Sequence, residues 1–230
     1  MTYSLAIGDR TYSSWSLRGW LLFAKFDIPA TVHTARMYTP EFLDMLSGFG
    51  GGRLVPTIHF DTPKGTVIVS DTLAIAETLN ARHPEKNMWP LDPAACGFAR
   101  SIVAEMHSGF AALRNGCTMN LRHRYHGFNP SETVLTDLAR IETIWTEARI
   151  RWGGDGPWLF GDYSIADAFF APIATRLVTY DLPMGDIVRN YVHTTVNDAA
   201  FKQWRADGLA ENFVQPGYDM GLETVSWLDA

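Results

Sequence analysis

Hydroxyl side chains cluster at one junction of the chain, Thr11-Tyr12-Ser13-Ser14-Trp15-Ser16-Leu17-Arg18. An apolar run ends there and a helical pattern begins, so the first helical amides lack partners and the helix dipole favours an anion. A hydroxyl donated by Ser13 would stabilise a thiolate held at that point and lower the thiol's pKa. The competing reading is helix capping, a routine role for serine in this position. A second object is Leu54-Val55-Pro56-Thr57. Proline just before a strand marks a tight turn, and a cis bond would expose the backbone groups of Val55 to a ligand, although isolated X-Pro bonds are mostly trans. An extended peptide pairs with such groups as a strand does. The third object is Ser70-Asp71-Thr72-Leu73-Ala74-Ile75, an acid and a hydroxyl at a helix start. Asp71 can pair with an α-amino group, while the amide and hydroxyl of Thr72 can hold an α-carboxylate. Capping explains either residue separately. Three such polar junctions in one short region point to an edge that binds a peptide.

These objects need a scaffold, and hydrophobic spacing supplies it. Tyr3 to Ile7 and Ala30 to Thr34 read as strands on either side of a helix over 14–26, where Leu17, Leu21 and Ala24 recur at helical spacing. A short helix follows over 40–46. Two strands, 57–60 and 66–69, flank the turn signal Asp61-Thr62-Pro63-Lys64-Gly65. Leu73, Ala76 and Leu79 then mark a helix over 72–81. This order predicts a small mixed sheet with helices packed against it.

The second half has no run that reads as a strand. Ala99, Val103, Met106, Phe110 and Leu113 mark one long helix face, and Val134, Leu138, Ile141, Trp145 and Ala148 mark another. For the latter, Asn129-Pro130-Ser131-Glu132 predicts a start with Asn129 as cap and Pro130 at the first helical position. Ser164-Ile165-Ala166-Asp167 repeats the cap-and-acid pattern before a helix to Val178, which Pro172 should bend. A last helix over 196–206 carries Phe201 and Trp204. The fold class is therefore α/β followed by all-α. Residues 1–84 form the first domain, the proline-punctuated stretch 85–93 a linker, and 94–230 the helical domain.

Composition narrows the classes. The 230 residues are 47% hydrophobic and 19% charged, which excludes a disordered or fibrous chain. A net charge of -6 gives no general pull toward nucleic acid or an anionic membrane. Two cysteines, Cys96 and Cys117, are too few for a disulfide framework and lack redox-pair spacing. No signal peptide or spanning run is indicated, so a cytoplasmic protein without membrane or nucleic-acid partners is expected. His123 and His126 lack acidic or cysteine partners at metal-ligand spacing, so no metal is expected.

In this order and spacing the fragments resemble the soluble, cytosolic-type glutathione transferase family over nearly the whole chain. Ser13-Ser14-Trp15-Ser16-x-Arg18 is similar to its serine-type active-site motif, and Gly161-Asp162-Tyr163-Ser164-Ile165-Ala166-Asp167 resembles the capping motif of its core helix. The resemblance implies a thioredoxin-like domain that binds glutathione as co-substrate, before a helical domain that supplies the electrophile site. It implies Ser13 as the thiolate-stabilising hydroxyl, with the neighbouring Tyr12 as rival. Val55-Pro56 would be the cis-proline segment that pairs with the cysteinyl backbone. Asp71-Thr72 would hold the γ-glutamyl end, and Arg53 falls near the position that contacts the glycyl end. Arg18 resembles a structural arginine. Both cysteines lie in the helical half, which argues against cysteine-dependent chemistry.

Trp15, Met106, His107, Phe110 and Arg114 are the implied substrate-pocket residues, although Met106 and Phe110 also belong to a core stripe. His107 and Arg114 would suit a carboxylated substrate, with Arg122-His123-Arg124 assisting from a loop. The implied activity is conjugation of the glutathione thiolate to a small, apolar electrophile in a detoxifying role, by a homodimer. Alternatives are an isomerase of the maleylacetoacetate type, a glutathione-dependent peroxidase or dehalogenase, and a noncatalytic glutathione-binding or interaction protein. Ser13-Ser14-x-Ser16 has some similarity to the isomerase class, but Trp15 stands where that class carries cysteine.

Overall fold

The computed structural model describes residues 2–227. Its first part runs β1 (Tyr3–Ile7), α1 (Ser14–Ala24), β2 (Ala30–Thr34), α2 (Pro40–Ser47), β3 (Thr57–Thr62), β4 (Gly65–Ser70) and α3 (Thr72–Arg82). The sheet order is β2-β1-β3-β4. β1 pairs parallel with β2, setting Leu5 opposite Val32, and antiparallel with β3, setting Leu5 opposite Ile58. This is the mixed sheet that the element order predicts, in the thioredoxin-like form that the resemblance implies. β1 is central and buries Leu5 and Ile7 completely. Its C-terminal end therefore delivers the chain to Ser13 from a rigid position.

The helical part follows as α4 (Pro93–Ser108), α5 (Ala111–Gly116), α6 (Glu132–Trp152), α7 (Ile165–Thr179), α8 (Asp186–Asn197) and α9 (Ala199–Ala210). α7 is buried along its whole length and runs unbroken through Pro172. One continuous apolar cluster joins Leu17 and Leu21 of α1 to Ile173 and Leu177 of α7 and on to Trp145 of α6. Burying each such side chain is worth about 1.5–3 kcal/mol, so the two parts are held firmly to one another. Polar contacts fix the register: Trp204 Nε1 donates to the Arg10 carbonyl at 2.9 Å, and the Leu121 amide donates to the Thr11 carbonyl at 3.1 Å. The connection is anchored too. Met88 is fully buried, and its carbonyl accepts from the Ile165 amide at 2.9 Å.

Four expectations are corrected. The long helix marked by Ala99 to Leu113 is two helices: α4 stops at Ser108, Gly109 caps it, and Phe110 turns into the left-handed region at φ 55° before α5 starts. The apolar spacing runs through because Phe110 and Leu113 still face the core. The cap of α6 is Ser131, which accepts from the Val134 amide at 3.4 Å, so Asn129 and Pro130 lie before the helix. The final helical stretch is also two elements, because Asp198 leaves helical geometry and caps α9 through the amides of Ala200 and Phe201. α8 was absent from the sequence pattern. Finally, the second half contains a two-residue antiparallel pair, β5 (Arg124–Tyr125) with β6 (Thr224–Val225), which draws the chain after α9 back over the helical domain.

The Ser164–Asp167 start of α7 is as expected. Asp167 is buried, its Oδ2 accepting from the Ser164 amide at 2.8 Å and hydroxyl at 3.0 Å, and its Oδ1 from the Leu159 amide at 3.1 Å. Burial outweighs these bonds and pushes the Asp167 carboxyl from 3.8 up to about 6. An acid whose folded value is raised binds its proton more tightly in the native state, so it supports folding at low pH and loses that support as pH rises. Stability should therefore fall by about 3 kcal/mol between about pH 4 and pH 6 from this residue alone. Denaturant titrations across that range should show the slope, and Asp167→Asn should flatten it. An unchanged slope in that variant would remove Asp167 as its source.

Candidate active site between the sheet and the helical domain

Ser13 caps α1 and is itself almost wholly buried. Its Oγ accepts from the Ser16 amide at 3.3 Å and lies 2.7 Å from Ser16 Oγ, to which it donates. Ser16 Oγ in turn accepts from the Gly8 amide at 2.9 Å. Capping and chemistry are thus not exclusive, because the Ser13–Ser16 pair can reverse its proton direction by rotating two hydroxyls. With Ser16 donating, the Ser13 hydroxyl becomes free for an anion beside the unpaired Ser14 and Trp15 amides of the helix start. Ser16 is a site residue that sequence reasoning left without a role.

Tyr12 and Ser13 both line the same cavity. Neighbouring side chains point apart in a strand, but these two residues sit in a turn in which both amides donate to the Asp9 carbonyl. The Tyr12 hydroxyl accepts from Arg122 Nε at 3.1 Å, and its ring meets Tyr218 edge-on at 5.2 Å. Arg122 therefore acts on Tyr12 directly. Tyr218 comes from the chain beyond α9, a segment whose pattern carried no signal for the site.

The Val55–Pro56 bond is cis. Val55 and the exposed Arg53 line the cavity, while Pro56 is buried beneath α1. A Cβ at Gly19 would stand 2.6 Å from Pro56 Cγ, so glycine is what lets the helix lie on this segment. Asp71, at φ 77°, caps α3: its Oδ1 accepts from Leu73 at 2.8 Å and Ala74 at 3.4 Å. Its Oδ2 lies 3.3 Å from His107 Nε2. The adjoining Thr72 hydroxyl is buried without a partner, an orphan that a ligand carboxylate or amine would satisfy.

The cavity has a volume of about 460 Å³ and opens between the two domains. Ser13, Trp15, Arg53 and Val55 form its sheet-side wall, and Arg114, Thr118, Met119 and Arg176 its helical wall. Of the other residues singled out from the sequence, Met106 and Phe110 are buried in the core, outside this lining. His107 stands behind it, edge-on to Trp15 at 5.3 Å and bridging to Asp71. Asp71, Thr72 and Pro56 are likewise outside the lining. Trp15 carries two guanidinium groups over its ring, Arg18 at 4.7 Å and Arg114 at 5.0 Å. Burial pushes the Arg18 and Arg114 guanidinium pKa values down, and for Arg18 the nearby charges of Arg114 and Arg176 add to it. Burial likewise brings Arg176 to about 10. Arg176 had a readable signal, the one cation in an otherwise apolar stretch of α7 after Asp167, that sequence reasoning passed over. Among the described residues, no three His, Cys, Asp or Glu side chains group as metal ligands, and no helix is long and apolar enough to cross a membrane.

No protein-family model and no curated protein matches the chain. Its fold is shared with solved structures over almost its whole length. A glutathione transferase homolog from Burkholderia gl BGR1, with bound glutathione, is 20% identical with a TM-score of 0.67, over 92% of this chain and 100% of that one. Maleylacetoacetate isomerase from Anaeromyxobacter dehalogenans 2CP-1, with bound dicarboxyethyl glutathione and citrate in its active site, is 20% identical with a TM-score of 0.63, over 95% and 98%. FzlA from C. crescentus is 15% identical with a TM-score of 0.65, over 95% of each chain. The architecture is thus that of the glutathione-transferase fold.

The close approach of Gly19 to Pro56 can be tested alone. Gly19→Ala gains helix propensity but overpacks the contact, for a net loss of about 1–2 kcal/mol. Urea denaturation should show that loss. A variant as stable as wild type would mean that the Pro56 segment yields to the added methyl group.

Proposed function

We propose that this protein binds glutathione as a co-substrate and transfers its thiolate to a small electrophile. In this reading residues 1–84 hold glutathione, residues 94–230 supply the electrophile wall, and 85–93 join them. The observation that carries the reading is the shared cavity. Ser13 at the start of α1, backed by the buried Ser16, lines it beside Val55, across from a separate wall of helical-domain side chains. Glutathione in the extended form would run along the exposed edge near Val55, its glycyl end toward Arg53 and its γ-glutamyl end toward Asp71 and Thr72. Asp71 would offer Oδ2 to the α-amino group in competition with His107, since Oδ1 is committed to the helix cap.

The protein's chemical task is modest. Ser16 donates to Ser13, Ser13 donates to the sulfur, and the first amides of α1 add partial positive charge, so the thiol proton leaves to solvent more readily. Each pKa unit is worth about 1.4 kcal/mol, and holding both reactants in one cavity contributes more. A noncatalytic glutathione-binding protein is the second reading, favoured by the hydroxyl of Ser13 being directed to Ser16.

Ultraviolet titration of the bound thiolate separates these readings. Ser13→Ala should raise the bound thiol's pKa by about one unit or more, Ser16→Ala should raise it by less, and Tyr12→Phe should leave it near the wild-type value. Loss of the thiolate in Tyr12→Phe with none in Ser13→Ala would transfer the role to tyrosine. A folded protein that fails to bind glutathione in calorimetry would sink the reading altogether. Binding without turnover of any electrophile would favour the noncatalytic one.

A further inference from the structure

Two guanidinium groups line the cavity and a third lies buried behind it, and among the described residues none of the three is salt-bridged to a carboxylate. Arg176 is 4% exposed, donating Nε to the Cys117 carbonyl at 2.7 Å and Nη1 to the Pro172 carbonyl at 2.8 Å. Its Nη2 has no protein partner among the described residues, and the side chain lines the cavity. Arg114 also lines it and gives Nη1 to the carbonyls of His107 and Gly109, at 3.3 and 3.2 Å. Arg18 lies beneath Trp15, 1% exposed, with Nε and Nη1 unpartnered. Asp71 offsets part of the charge on Arg18, but burying unpaired cations such as Arg176 is costly, and guanidinium does not shed its proton to avoid that cost. An anion in the cavity would relieve it, and a carboxylate matches the arginine fork best.

We propose that the helical wall is an anion subsite, in which Arg114 and Arg176 hold a carboxylate of the second substrate while Arg18 adds to the positive field from below. The donors stand on the helical domain, across the cavity from Arg53 and Val55. Glutathione's own carboxylates would lie on the sheet side. Trp15 and Met119 line the cavity beside these donors, so the electrophile is a small carboxylic acid with an apolar body, in line with the carboxylated substrate that Arg114 suits and unlike a wholly apolar compound. The assignment rests on the transferase reading for its co-substrate, but anion binding does not depend on turnover.

The matched pair 4-chloro-3,5-dinitrobenzoate and its methyl ester tests it. In each, the thiolate forms a bond to the ring carbon, chloride leaves with its electron pair, and the thiol proton passes to solvent. Calorimetry with unreactive 3,5-dinitrobenzoate and its methyl ester, with and without saturating S-methylglutathione, measures binding separately. Wild type should prefer the acid by about tenfold or more in both assays, turnover being expressed relative to the uncatalysed rate. Arg114→Gln should erase that preference. Arg176→Lys keeps the charge while losing the fork, and should reduce the preference without abolishing it. Equal binding of ester and acid, a preference that survives Arg114→Gln, or one left undiminished by Arg176→Lys, would overturn the subsite. Exclusion of the acid by S-methylglutathione would also overturn it, by assigning the anion site to glutathione. An acid preference lost in Arg114→Gln, with neither compound turned over, would uphold the subsite and count against the transferase reading.

Discussion

Burial of α7 is the constraint on which the rest of the molecule depends. Every residue from Ile165 to Thr179 is buried, and the helix packs against α1, α4 and α8. α1 is also the helix whose first turn presents Ser13, so the packing that stabilises the core sets the distance between the serine and the helical wall. The carboxylate of Asp167 ties the start of α7 to Leu159 and Ser164. Its burial has an electrostatic cost, which is the usual consequence of placing a charge where hydrogen bonds replace only part of its hydration. The same helix carries Arg176 to the cavity, so one element serves both packing and charge.

The interruption between α4 and α5 connects fold to site. Gly109 leaves helical geometry, and a side chain there would bring Cβ within 2.7 Å of the Glu105 carbonyl. The break strands carbonyl groups at the end of α4, and Arg114 from the next helix donates to those of His107 and Gly109. A helix end would ordinarily attract such a cation. Here the geometry also sets the guanidinium over Trp15 and at the cavity wall. The break therefore brings Arg114 to the cavity wall while Phe110 and Leu113 stay in the core.

Two kinds of polar group therefore meet across one cavity. On the sheet side are hydroxyls and amides that can rearrange without a change of charge. On the helical side are permanent cations held by carbonyl groups and aromatic rings. The first suits a group that becomes an anion during reaction, and the second a group that arrives as one. Tyr12 belongs to the frame of this cavity, being held by Arg122 and covered by Tyr218.

Much of this was legible in the sequence because it is local. Strand runs such as Tyr3 to Ile7, the helical spacing of Leu17 and Leu21, and the Ser164–Asp167 start depend on neighbours a few residues apart. They determined the mixed sheet, the helical second half and the position of Ser13 at a helix start. The same local logic failed at Gly109 and Asp198, where apolar spacing continues across a break in the backbone. It also missed Tyr218, and it could not show that Tyr12 and Ser13 share one cavity, because their common direction comes from a turn around the Asp9 carbonyl. Tertiary structure alone decided which polar groups share the cavity and which are left without partners. Hydrogen-bond satisfaction and desolvation depend on everything surrounding an atom, and Arg114, Arg176 and Arg18 acquire a common field only after segments more than 150 residues apart have packed together.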